Sequence, residues 1–182
     1  MGEGRNRGPK VRRAEAGDAR AIARVHVNTW RQTYRGIVPD AVLDALSVDE
    51  REAMWRRAAR PRPAGGLFVA ETESGVVGFA VSGLEERGRS DFPGEVYALY
   101  VLPANQGQGL GTRLFRAAVR SLSEAGLDAV LVWVLKANPY RRFYEKLGGE
   151  LVDEGSVELG GVRLPTVAYG WRELAAWLEV RR

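Results

Sequence analysis

Between Gln106 and Phe115 the chain reads QGQGLGTRLF, with glycine at 107, 109 and 111 just before a helical pattern begins. Glycine costs a helix about 1 kcal/mol per interior position relative to alanine, so three of them at a helix start need a chemical reason. The first amides of a helix have no intrahelical acceptor, and the helix dipole places partial positive charge there. Glycines add access to positive φ and let a bulky anion reach the backbone without striking a Cβ. The stretch therefore reads as a cradle for an anion such as a pyrophosphate, with a purely structural tight turn as the alternative. It is not a P-loop, because Gly111 is followed by Thr112-Arg113 and not by Lys-Ser or Lys-Thr. It is a poor Rossmann loop too, which needs glycine or alanine at 112 and a β-α-β unit opening a parallel sheet.

Composition removes other chemistries. The chain has no cysteine, hence no disulfide, cysteine nucleophile or thiolate metal site. Its single histidine, His26, excludes a His-rich zinc site and leaves one imidazole for any Ser-His-Asp triad. His26 falls on the apolar face of a helical pattern and reads as a core histidine before it reads as a base. No metal is expected. The net charge is +4, but Arg5, Arg7, Lys10, Arg12 and Arg13 stand against Glu3 alone in the first thirteen positions. The remainder is balanced, 22 basic against 22 acidic residues, so no nucleic-acid partner is expected. No apolar run approaches the roughly 18 residues of a membrane span, and MGEGRNRGPK lacks the apolar core of a secretory signal. A cytoplasmic protein with no membrane partner is expected.

The elements that must position the glycines follow from periodicity. Residues 1–10 read as a disordered basic tail, and Val11–Ala14 as a short strand. Ile22, Val25, His26 and Thr29 share one face of a helix. VPDAVLDAL predicts a second helix with Pro39 near its first turn, and SVDEREAMW a third, opened by a Ser47/Glu50 capping box and running to about Ala59. LFVAET-ESG-VVGFAVSGL is a hairpin. EVYALYVL, apolar on both faces, predicts a central strand buried on two sides. Leu110, Leu114, Ala118 and Leu122 define a helix from Leu110 to Ala125, closed at Gly126. DAVLVWVL is a second buried strand. PYRRFYEKL is a short helix with Tyr140, Phe143, Tyr144 and Leu147 on one face, LVDEGSVEL-GG-VRLPTVAYG a closing hairpin, and WRELAAWLEV a terminal helix.

Gln106-Gly107-x-Gly109-x-Gly111, just after a buried strand, resembles the coenzyme A signature of the GNAT N-acetyltransferase superfamily. VYALYVLPANQGQGLGTRL resembles the family's fourth strand and following helix, LKANPYRRFYEKLGG its second conserved segment, and the element order matches over residues 10–171. The resemblance implies an α/β (α+β) fold with a mixed, mostly antiparallel sheet of about six or seven strands, flanked by helices and splayed at the cofactor site. It implies a tail over 1–10, an acetyltransferase domain over 11–171 and a helical extension over 172–182. The implied activity is direct transfer of the acetyl group of acetyl-CoA to an amine in a ternary complex, releasing coenzyme A; an idle acyl-CoA sensor on the same fold is the alternative. Backbone groups of Leu99, Tyr100 and Val101 would meet the pantetheine arm. Gln106, Gly107, Gln108, Gly109, Leu110, Gly111 and Thr112 would form the pyrophosphate loop. Asn138 resembles a family asparagine at the next strand–helix junction, but lies six residues before Tyr144 where seven is common, so opening a helix with Pro139 is its alternative reading. Arg113 would meet the 3′-phosphate or simply face solvent.

Aminolysis of a thioester needs a neutral amine, and an alkylamine of pKa about 10.4 is only about 0.04% neutral at pH 7, equivalent to about 4–5 kcal/mol of barrier. A base that takes that proton and an acid that protonates the departing thiolate both help. By the same resemblance Tyr144 is the candidate acid, with core packing as its alternative, and Glu95 the candidate base through water, with a solvated carboxylate at a strand end as its alternative. Trp30 and Tyr34, four apart on the first helix, are candidates for an aromatic wall of the acceptor pocket, or core. Trp171 and Trp177 suggest a homodimer contact.

Overall fold

The computed structural model describes residues 8–89 and 91–180. Seven strands form one sheet in the order β1-β2-β3-β4-β5-β7-β6. They are β1 (Lys10–Arg13), β2 (Gly66–Thr72), β3 (Gly75–Leu84), β4 (Gly94–Val101), β5 (Ala129–Leu135), β6 (Glu150–Leu159) and β7 (Val162–Arg172). The helices are α1 (Ala19–Thr33), α2 (Asp40–Asp44), α3 (Val48–Ala58), α4 (Leu110–Glu124), α5 (Arg142–Lys146) and α6 (Leu174–Val180). Every expected element is present, with ends shifted by a few residues. The expected tail falls at residues 1–7 outside the described residues, and Lys10 already belongs to β1.

Local chemistry accounts for the boundaries. The Ser47 hydroxyl accepts from the Glu50 amide at 3.3 Å, opening α3 where the capping pattern placed it. Pro39 stands just ahead of α2 as its cap residue. Arg12 on β1 bonds both Asp18 (2.7 Å), at the start of α1, and Glu71 (3.0 Å) on β2, fastening strand, helix and sheet together.

Two layers cover the sheet. On one face α4 buries Leu110, Leu114, Phe115, Ala118 and Leu122 against Val96, Val130, Val132 and Val167. On the other, α1 and α3 bury Ile22, Ala23, Val25 and Trp55 against Leu67, Val69, Phe79 and Val81. Each fully buried leucine is worth about 1.5–3 kcal/mol. Trp171 and Trp177 belong to the first of these cores, and both indole N–H groups donate to the Leu147 carbonyl, at 3.1 and 2.9 Å. Trp171 is thus buried inside the subunit and takes no part in the contact expected from the pair, whereas Trp177 is half-buried.

All pairings are antiparallel except β4–β5, which is parallel and joined only at Gly94↔Val130 and Glu95↔Leu131. Beyond Glu95, β4 continues along β3 and β5 along β7, so the sheet opens into a V. The expectation of a β4 buried on both sides is corrected here: Tyr97, Ala98, Leu99 and Tyr100 are half-buried, because one edge has lost its neighbour. Tyr140 likewise leaves its expected apolar face and is exposed, since α5 begins only at Arg142.

Candidate active site

The opening of the V holds a cavity of about 550 Å³ that both strands line. A β-bulge at its root controls which side chains enter. Val81 pairs with Ala98 and Ser82 with Val96, leaving Tyr97 without a register partner. Val96, Leu99 and Val101 consequently pack on the α4 side, and Tyr97, Ala98 and Tyr100 on the α1 side. By alternation with Val96, Glu95 points to the α1 side.

Backbone direction divides the strand in the same way. The Leu102 amide donates to Val77 on β3 at 2.9 Å, so alternation sends the peptide groups of Leu102 and Tyr100 to β3 and those of Leu99 and Val101 into the gap. Of the three expected backbone contacts, Tyr100 therefore contributes its side chain to the cavity instead of its peptide. The Gln106 side chain donates to the Val101 carbonyl at 2.9 Å, which ties the glycine loop to the end of β4.

Among the described residues, the amides of Gly107, Gln108, Gly109, Leu110, Gly111 and Thr112 donate to no protein acceptor; the first bond of α4 is Arg113 N–H to the Gly109 carbonyl at 3.1 Å. Gly107 and Gly109 both sit at φ 74, and a Cβ on either would project into open space. Gly111 does something else. A Cβ there would stand 3.3 Å from the Phe143 ring, so this glycine lets α4 approach α5. Leu110 turns its side chain into the core and Gln108 turns outward, so each offers the loop its amide alone. The loop fits a diphosphate: six unsatisfied donors at a helix N-terminus with room in front of them. Arg113 is exposed beside it.

Glu95 is buried and lines the cavity; burial raises its carboxyl pKa to about 7, with Glu85 and Glu86 adding to the rise and Arg87 opposing it. Tyr144 is buried on α5, edge to face with Phe143 and Phe115 and stacked on Tyr169, and burial raises its pKa above the ordinary phenol range. It too lines the cavity. Asn138 uses both ends of its side-chain amide within the protein. Its Oδ1 accepts the Tyr140 amide at 2.8 Å, forming the turn that leads into α5, and its Nδ2 donates to the Tyr34 hydroxyl at 2.9 Å on the cavity wall. Trp30 and Tyr34 pack edge to face at 5.0 Å and line the cavity from α1.

His26 stands behind this wall. Trp55 Nε1 donates to its Nδ1 at 3.2 Å and its ring stacks on Tyr100. Burial first, and Arg51 second, lower its pKa to about 4, so it is neutral at pH 7 and structural. Between pH 6.5 and 4 the unfolded chain binds a proton at this position that the folded protein refuses. Stability is therefore expected to be full above pH 6.5 and to fall by up to about 3 kcal/mol as pH drops toward 4. Urea melts of wild type and His26→Gln, compared across that window, check the slope.

Several cavity residues carried no signal in the sequence. Thr29 falls on the apolar face of a helix, Trp133 in a buried strand, Thr166 in the closing hairpin and Arg87 between two strands, yet all four line the cavity. No group of three or more His, Asp or Glu arranged to hold a metal occurs among the described residues, and none of their helices is long and apolar enough to cross a membrane.

Comparison with known proteins agrees with this geometry. Residues 63–148 match the model of the acetyltransferase (GNAT) domain family. The uncharacterized N-acetyltransferase YuaI of Bacillus subtilis (strain 168) is 39% identical over 167 residues, covering 91% of this chain and 94% of that protein. Among solved structures, the PaiA N-acetyltransferase of Thermoplasma acidophilum in complex with coenzyme A superposes with a TM-score of 0.73 at 17% identity, over 91% of this chain and 99% of that one. YncA of Salmonella typhimurium, a putative acetyltransferase with its cofactor acetyl-CoA, gives 0.69 at 23%, over 91% and 94%. The splayed sheet, the glycine loop and an extended match to an N-acetyltransferase coincide in one molecule: the chain belongs to the GNAT superfamily of acetyl-CoA-dependent N-acetyltransferases.

Proposed function

We propose that this enzyme moves an acetyl group from acetyl-CoA directly to a primary amine that enters from the α1 side, in the cytoplasm and without a metal. The observation that carries the reading is the run of six free amides at 107–112 beside the unpaired edge of β4. These amides would hold the diphosphate, and Leu99 and Val101 would pair their peptide groups with the amides of the pantetheine arm. When bound, the cofactor supplies an acyl group activated as a thioester.

The chain's own residues then divide the proton work. Glu95, with a pKa near 7, is half ionised at neutral pH and takes a proton from the incoming amine through water. Tyr144, kept protonated by burial, holds a proton for the departing sulfur. Trp30 and Tyr34 form the wall against which the amine is positioned, and Asn138 fixes Tyr34 through its hydroxyl.

A panel of amines with acetyl-CoA, followed by release of free thiol, tests the activity. Tyr144→Phe is expected to lower kcat by about 10²-fold, the lower end of general acid catalysis, and to leave coenzyme A affinity within about twofold. Turnover at the wild-type level would remove Tyr144 from the reaction.

A further inference from the structure

Besides Trp30 Nε1, three polar side-chain atoms of the cavity wall are buried without a hydrogen-bond partner: Thr29 Oγ1, Trp133 Nε1 and Thr166 Oγ1. Buried polar atoms in native proteins are almost always paired, so an orphan in a cavity wall points to a ligand or water that pairs it. All three lie on one side of the sheet. Thr166 is paired with Leu135, which packs with the α1–α2 core, and Trp133 is two residues away on the same strand face. Thr29 is on α1 itself. The indole N–H is a donor only.

Arg87 adds a charge to this group. Its guanidinium lies 4.8 Å over the Trp133 ring and, among the described residues, donates to no carboxylate. Arg87 and Glu95 are the two charged residues lining the cavity, and they are near enough for the arginine to act on the glutamate electrostatically. One cation with neighbouring neutral donors, set next to one carboxylate, is the complement of a zwitterion. A polyamine would meet a single carboxylate here, and a simple amine would leave Arg87 and Trp133 unmatched. The rest of that wall is apolar: Tyr34, Leu135, Val157 and Leu159.

We propose that the acceptor is an α-amino acid with an apolar or aromatic side chain, its carboxylate received by Arg87 with the Trp133 N–H and its amine directed to Glu95. The proposal rests on the acetyl-transfer reading. The test compares phenylalanine, phenylalaninamide, phenethylamine and spermidine at saturating acetyl-CoA, with calorimetry of phenylalanine onto the coenzyme A-loaded protein as a readout independent of turnover. Phenylalanine is expected to exceed each of the others at least tenfold in kcat/KM. Arg87→Met and Trp133→Phe are each expected to shrink that preference to about twofold or less and to weaken phenylalanine binding about tenfold. Equal or better turnover of the carboxylate-free amines, or a loss in Arg87→Met common to all acceptors, overturns the proposal. Tight coenzyme A binding with no acetylation of phenylalanine overturns it too while sparing the donor site; failure to bind coenzyme A at all strikes the underlying reading instead.

Discussion

Glu95→Gln is expected to lose activity and gain stability together. Glutamine keeps the size of the side chain and cannot accept the amine proton, so kcat should fall by about 10²- to 10³-fold, within the span of general base catalysis. The pH profile sharpens the expectation. Burial holds the Glu95 pKa near 7, so wild-type kcat/KM should rise about tenfold per unit up to pH 7 and flatten above it, until the acceptor's own ionisation adds a second limb. The variant should lack the first limb and keep the second. Stability moves the other way. A carboxyl whose pKa is raised from 4.5 to about 7 binds its proton more tightly in the folded than in the unfolded state between those values. Wild-type stability is therefore lost as pH rises through that window, by up to about 3 kcal/mol. Glutamine carries no such penalty, so the variant should match wild type at pH 4 and exceed it in urea melts at pH 8. Wild-type turnover at pH 8 would falsify the base assignment, whatever the melts show.

That opposition explains why a carboxylate sits where β4 and β5 part. At the last paired position of the parallel ladder, Glu95↔Leu131, the side chain is buried by the sheet yet opens on the cavity. One residue earlier it would lie in the packed root of the V; farther along, the gap widens and burial gives way to half-exposure.

The sequence made the loop readable and left the acceptor chamber dark, for a physical reason. Gly107 and Gly109 announce themselves because positive φ before a helix restricts residue type strongly. Capping at Ser47 and the four-residue apolar rhythm of α4 are local rules, and they gave both helices. The V is not local. DAVLVWVL and EVYALYVL look like strands buried on two sides because their apolar residues do meet cores, and nothing in either run says that the two strands separate after two paired residues. Trp133 sits among β-branched neighbours as any core indole would, and only the departure of β4 turns it into a cavity wall. Gly111 carries a second reason that spacing does not show. It offers a free amide like its neighbours, and a Cβ there would also meet the Phe143 ring at 3.3 Å.

Gly109→Val is the largest expected loss of binding. At φ 74 an L-residue pays about 1–2 kcal/mol, and a β-branched one pays at the upper end or beyond. The valine methyls would project into the open space in front of the amides, where a diphosphate would have to come. Hydrogen bonds to a charged acceptor are worth about 1.5–3 kcal/mol each, so losing two of the six weakens coenzyme A binding by at least about 10²-fold. Strain and obstruction must be separated, because a helix start distorted by valine would also bind poorly. Gly109→Asn does this. Asparagine tolerates the left-handed conformation, so thermal stability should stay near wild type while the side chain still fills the approach. Calorimetry is then expected to show both variants losing affinity by similar factors, with only the valine protein melting lower. If the asparagine variant binds coenzyme A normally, the space before Gly109 is not where the phosphates lie. If the folded valine variant does so as well, the free amides of 107–112 have no anion to serve.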